Sequence, residues 1–130
     1  MGLIAELKDK KAELASWRQH LHQFPETAYE EVMTSSFVAE KLESFGIEVH
    51  RGLGKTGIVG VIHGQDCGDG TYPSIGLRAD MDALPMEEQT NLAYASRHPN
   101  RMHACGHDGH TTMLLGAAEY LARHRHFKGT

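Results

Sequence analysis

Cysteine is scarce: two in 130 residues, Cys67 and Cys105. That is too few for a small secreted scaffold stapled by disulfides. No apolar run approaches the roughly 20 residues a membrane-crossing helix needs. The opening residues, Met1 to Glu6, lack a basic segment followed by an apolar block, so no secretory signal is expected. Positive charge is also short. Thirteen Lys and Arg stand against seventeen Asp and Glu, a formal net charge of −4 with no basic run. A nucleic-acid footprint and a membrane-surface patch are therefore not expected. There is no internal repeat and no low-complexity stretch. Together these absences point to a reducing, cytoplasmic setting and leave oligomeric state open.

What remains is an ordinary globular composition, 40% hydrophobic and 23% charged. The length suits one domain with a real core. Residues 3–22 repeat Leu3, Leu7, Leu14, Trp17 and Leu21 at helical spacing, and Phe24-Pro25 stops the run. Residues 28–45 read as a second helix with Val38, Leu42 and Phe45 on one stripe and Gly46 as its stop. Short strands are expected at 47–49, 56–63 and 74–80, with a turn or hairpin loop at 64–72. Residues 83–99 are irregular and polar. A third helix is expected from Gly109 to about His124, with Met113, Leu114, Ala117, Ala118 and Leu121 on one side. Helices and strands interleave, so the fold class is α/β.

Histidine is abundant: ten residues, six of them (His98, His103, His107, His110, His124, His126) in the last third. The stretch Met102-His103-Ala104-Cys105-Gly106-His107-Asp108-Gly109-His110 gathers a thiol, three imidazoles and a carboxylate. If it is extended, His103, Cys105 and His107 share a face. Thiolate and neutral imidazole suit zinc and its first-row neighbours, and the helix that follows favours negative charge at its N-terminus. Asp108 would sit at that N-terminus. A buried free cysteine beside helix-capping histidines is the plainer alternative. Asp80 and Asp82 lie two apart at the end of an apolar strand, where α/β proteins collect ligands. They could bind a metal or orient an imidazole; the alternative is a solvated strand end with Arg78 paired to an aspartate. Glu87-Glu88 reads as a charged loop. His20, His22, His124 and His126 read as structural residues at helix ends.

These segments together resemble the metal-dependent aminoacylase and carboxypeptidase family. The branch is that of hippurate hydrolases, N-acyl-amino-acid amidohydrolases and plant auxin-conjugate hydrolases. The resemblance rests on LHQFPE (21–26), KTGIV (55–59), LRADMDALP (77–85), MHACGHDGH (102–110) and LLGAAEYLA (114–122), in that order along nearly the whole chain.

The resemblance implies part of a zinc-peptidase-like catalytic domain spanning 1–130. It implies three helices, three to four strands of a mixed sheet, no lid domain and no second domain. It implies a site for two divalent cations, zinc or manganese, with nickel or cobalt as alternatives. Cys105 and His107 would be ligands and Asp82 the orienting aspartate. Asp80, His103, Asp108 and His110 would line the pocket. The substrate would be an N-acyl amino acid. The family's catalytic glutamate and its other ligands, a glutamate and two histidines, match nothing in this chain, so the chain alone is expected to be inactive. A non-catalytic metal-binding or interaction module, and a hydrolase using Cys105 as nucleophile with a histidine base, are the competing readings.

Overall fold

The computed structural model describes residues 2–65 and 70–130. Cys67 and the middle of the 64–72 loop lie outside the described residues. The elements run α1 (Leu3–Asp9), α2 (Lys11–Gln23), α3 (Val32–Ser44), β1 (Glu48–Leu53), β2 (Gly57–Val61) and α4 (His107–Arg123). The class is α/β, with four helices rather than three and two paired strands rather than three or four among the described residues.

The extra helix arises because the 3–22 segment breaks at Lys10. The Lys10 ammonium is held by Glu13 and by Glu119 of α4. Beyond that anchor α2 buries Trp17 and Leu21, whereas α1 buries nothing and leaves Leu3 and Ile4 exposed. Phe24-Pro25 ends α2 as expected. The next helix starts later than expected, because Tyr29 adopts a left-handed conformation and the chain turns before Val32.

α3 closes with the stop that Gly46 announced. Gly46 has φ +73°, its amide donates to Glu43 O (3.0 Å), and the Ile47 amide donates to Leu42 O (3.2 Å). This pair of backward bonds is the Schellman pattern, which needs the left-handed glycine. Its hydrophobic partners, Leu42 and Ile47, both enter the core.

β1 and β2 form an antiparallel hairpin from Glu48↔Val61 to Leu53↔Gly57, with an irregularity between Arg51 and Leu53. Gly60 lets the hairpin lie close on α3: a Cβ there would stand 3.1 Å from Ile47 and 3.3 Å from Leu42. Trp17, Val38, Leu42, Ile47 and Leu115 make the buried core, flanked by Leu14, Phe45, Ile58 and Met81 among others.

Two expectations need correcting. Residues 74–80 form no strand, and Ile75 and Leu77 are 77% and 61% exposed. A strand exists only through its ladder, and the single backbone bond from the Ile75 amide to Thr130 O (2.9 Å) does not extend into one among the described residues. The fully buried residues of α4 are Asp108, Thr111, Thr112, Leu115 and Gly116; of the expected stripe Ala118 packs partly buried against the core, whereas Met113 is exposed. Apolar spacing misplaced this face because its first turns bury polar groups that find hydrogen-bond partners. Thr111 donates to Asp80 O and Thr112 to Asp108 O. No helix among the described residues is long and apolar enough to cross a membrane.

Candidate metal centre

The segment 102–110 is not an extended strand. His103 is buried, Cys105 and Gly106 form a bend with Cys105 exposed, and Gly106 (φ +82°) turns the chain left-handed into α4. The expected common face of His103, Cys105 and His107 therefore fails at His103. The fold does set the free Cys105 thiol and His107 at the helix entrance, on either side of Gly106.

His107 meets the aspartates of the 77–85 segment. Its Nδ1 lies 2.9 Å from Asp82 O and 3.0 Å from Asp82 Oδ1. Both partners can only accept, so Nδ1 carries the proton and donates, and the lone pair is left on Nε2. That nitrogen stands 3.7 Å from Asp80 Oδ2. A carboxylate holding the far side of an imidazole is the arrangement that fixes a metal-binding ring in one tautomer. Asp80 is also paired with the exposed Arg78 at 2.6 Å, and its backbone oxygen is held by Thr111. The pairing of Arg78 with an aspartate thus coexists with the aspartate's approach to His107.

The other expected pocket residues separate. The His110 ring lies 5.6 Å from that of His107 and its residue is exposed. Asp108 is 1% exposed and faces α2: its Oδ2 takes His22 Nδ1 at 2.8 Å and Arg18 Nε at 3.1 Å. His103 is buried, and neither ring nitrogen has a hydrogen-bond partner among the described residues. Burial pushes its pKa below the usual histidine value; the nearby charge of Asp108 opposes this and the neighbouring His22 and His107 rings reinforce it.

Two residues read from sequence as bland are integral to this region. His22 is 3% exposed, with Nε2 2.8 Å from Glu88 Oε1. The Glu88 side chain is equally buried and also accepts from the Thr90 hydroxyl and the Ser96 amide. Burial alone would raise the Glu88 carboxyl; the bonds from Thr90, His22 and Ser96 outweigh it and hold the pKa below the ordinary value. No spacing rule brings residues 22, 88 and 108 together. The one signal in the sequence was that His22 and Asp108 both fall inside segments that carry the family resemblance.

Among the described residues no three His, Cys, Asp or Glu side chains converge to hold a metal ion. Cys105 and the free Nε2 of His107 fit a thiolate–imidazole donor pair for a first-row cation, but they make only part of a coordination shell.

Residues 76–130 match the model of the peptidase family M20/M25/M40. The chain is 52% identical to a hippurate hydrolase of Campylobacter jejuni, over 94% of this chain and 31% of that protein. It is 45% identical to an N-acyl-L-amino acid amidohydrolase of Geobacillus stearothermophilus, over 94% of this chain and 32% of that one. Its fold matches the crystal structure of Bacillus subtilis YXEP, described as a dinuclear metal binding peptidase from the M20 family. There the TM-score is 0.86 and identity 41%, over 94% of this chain and 34% of the other. The chain spans about a third of the length of the curated relatives it matches. Family motif, sequence and fold agree: residues 76–130 match the M20/M25/M40 peptidase family, and nearly the whole chain is similar in sequence to these amidohydrolases and in fold to a structure described as from the M20 family.

Proposed function

We propose that residues 1–130 are part of the catalytic domain of a cytoplasmic, divalent-metal-dependent amidohydrolase that cleaves the amide bond of N-acyl amino acids. The observation that carries this is the Asp82–His107 pair. It leaves the lone pair of His107 on Nε2 at the N-terminus of α4, two residues after Cys105, in a chain that is 52% identical to a hippurate hydrolase over 122 residues. Cys105 and His107 would hold metal, and Asp82 keeps the His107 ring in the competent tautomer. Asp80 and His110 border the site. Two divalent cations per complete site are proposed, zinc or manganese, with nickel or cobalt as alternatives. When bound, such ions supply Lewis acidity to a carbonyl and lower the pKa of a water. Glu88 is not the general base, because its carboxylate is committed to His22, Thr90 and Ser96. With two clear ligands and no base, the 130-residue chain is expected to be inactive by itself.

The test is a Co²⁺ titration of the purified chain. A thiolate-to-cobalt absorption band is expected, lost in Cys105→Ser and in His107→Ala. Absence of the band at millimolar Co²⁺ would refute the metal reading. Hydrolysis of hippurate by this chain that survives chelation and is stopped by iodoacetamide would favour Cys105 as a nucleophile instead. A chain that binds metal while the complete gene product hydrolyses no N-acyl amino acid would favour a non-catalytic metal-binding module.

A further inference from the structure

The Asp82–His107 pair joins two separate pieces of chain, the loop that follows residue 77 and the start of α4. Neither piece is held by a sheet ladder. Asp82 lies on a segment whose regular contacts are isolated bridges, Thr27↔Ala83 and Leu84↔Met102. His107 is the first residue of its helix and enters through a left-handed glycine. The Thr111 hydroxyl of α4 ties them at Asp80 O, two residues before Asp82 (2.8 Å), and a second tie is needed to fix the loop beyond Asp82 against the helix.

His22 spans that junction. Its Nε2 reaches Glu88, six residues beyond Asp82 on the same loop. Its Nδ1 reaches Asp108, the residue after His107. Both distances are 2.8 Å, and the three side chains are 3%, 3% and 1% exposed. A carboxylate only accepts, so the two bonds form together when the ring presents two N–H groups, each charge-assisted. The surrounding charges are accounted for. Arg18 Nε shares Asp108 Oδ2 at 3.1 Å, Thr90 and Ser96 complete Glu88, and Tyr94 sets its ring edge-on at 5.6 Å. Asp108 Oδ1 is used by the Gly109 amide, which ties the side chain to the first turn of α4.

Resting on the reading of Cys105 and His107 as ligands, we infer that His22 is a positioning residue. It clamps the loop bearing Asp82 to the helix bearing His107 and so sets the His107 ring. His22 touches neither the ring nor any reacting atom, and it acts through Glu88 and Asp108. The ends of helices are common places for a histidine, but one with both nitrogens spent on buried carboxylates of two different segments is a cross-link.

Two measurements on the whole chain test this. Ring ¹⁵N spectra of the metal-free protein read the His107 tautomer directly, and Co²⁺ titration reads affinity. In the wild type, His107 is expected as the single Nδ1–H form. His22→Ala and the milder His22→Gln are expected to replace it with a tautomer mixture and to weaken Co²⁺ binding about tenfold or more, the size of effect seen when groups behind metal ligands are removed. Glu88→Gln, which cuts the same link at its other end, should shift both readouts in the same direction. Val38→Ala, a core change remote from the clamp, should lower the unfolding temperature and move neither. The inference is overturned if folded His22→Gln and Glu88→Gln leave both readouts at wild-type values, or if Val38→Ala shifts them equally. A tautomer shift in a protein that binds no Co²⁺ at all would keep the clamp and sink the metal reading instead.

Discussion

Glu26, the last residue of the LHQFPE segment, offers the most quantitative test of this structure. It is 5% exposed, and its carboxylate sits at the start of α3. One oxygen accepts the Thr34 amide (2.6 Å) and hydroxyl (2.7 Å), the other the Met33 amide (3.0 Å). Those amides belong to the first turn of α3, where backbone donors have no partner inside the helix. Glu31, at the capping position, makes no side-chain cap and instead accepts from Thr56. Glu26 therefore caps α3 from outside the helix. A hydrogen bond to a charged group contributes about 1.5–3 kcal/mol. Taking the lower figure for each of the two amides, and leaving the hydroxyl free to turn, Glu26→Ala should cost about 3 kcal/mol. For a domain of this size that corresponds to a fall of roughly 10 °C in Tm. Glu26→Gln keeps one acceptor but turns an amine toward a donor, so about half the loss is expected. The assay is thermal and urea unfolding followed by far-UV circular dichroism. Glu30→Ala is the control, since Glu30 is exposed and its side chain bonds only Thr27 and Arg101 among the described residues; it should stay within about 0.5 kcal/mol of wild type. A Glu26→Ala variant no less stable than Glu30→Ala would refute the capping argument.

Other outcomes follow from the same geometry. Asp82→Ala removes one acceptor from His107 Nδ1 but leaves the backbone oxygen of residue 82 in place, so Co²⁺ affinity should fall near the lower end of the 10–100-fold range for such partners; a loss as large as that of His107→Ala in the same titration would contradict it. Among the described residues His103 buries two nitrogens without partners, so His103→Leu should leave Tm unchanged or raise it, because an unpaired buried polar group costs about 1–3 kcal/mol; a large drop in calorimetric Tm would show that the ring is satisfied. Glu88 has a lowered folded pKa, so its contribution is present above the ordinary glutamate value of about 4.5 and is lost as pH falls through the lower folded value. Urea unfolding should thus show a shallower acid loss in Glu88→Gln than in wild type below about pH 4.5, and identical slopes would disprove the linkage. Gly106→Ala meets open space, with His110 the nearest group at 4.0 Å, so its cost is the left-handed backbone alone, about 1–2 kcal/mol.

What the sequence determined by itself was local. Phe24-Pro25 had to end a helix because proline restricts the residue before it, and Gly46 could close α3 because glycine tolerates positive φ. The α/β class and the segments that carry the family resemblance were likewise readable from residues close together in the chain. Tertiary structure decided the rest. The 74–80 segment had every mark of a strand yet forms none, because pairing depends on a neighbour and not on composition. The buried face of α4 went to Asp108, Thr111 and Thr112, against the apolar spacing, because each found a hydrogen-bond partner that removed the cost of burial. Residues 22, 88 and 108 form a single buried polar unit across 86 positions of chain. Whether a carboxylate is a solvated surface charge or the anchor of a buried imidazole depends on which groups meet it in space, and no periodicity encodes that meeting.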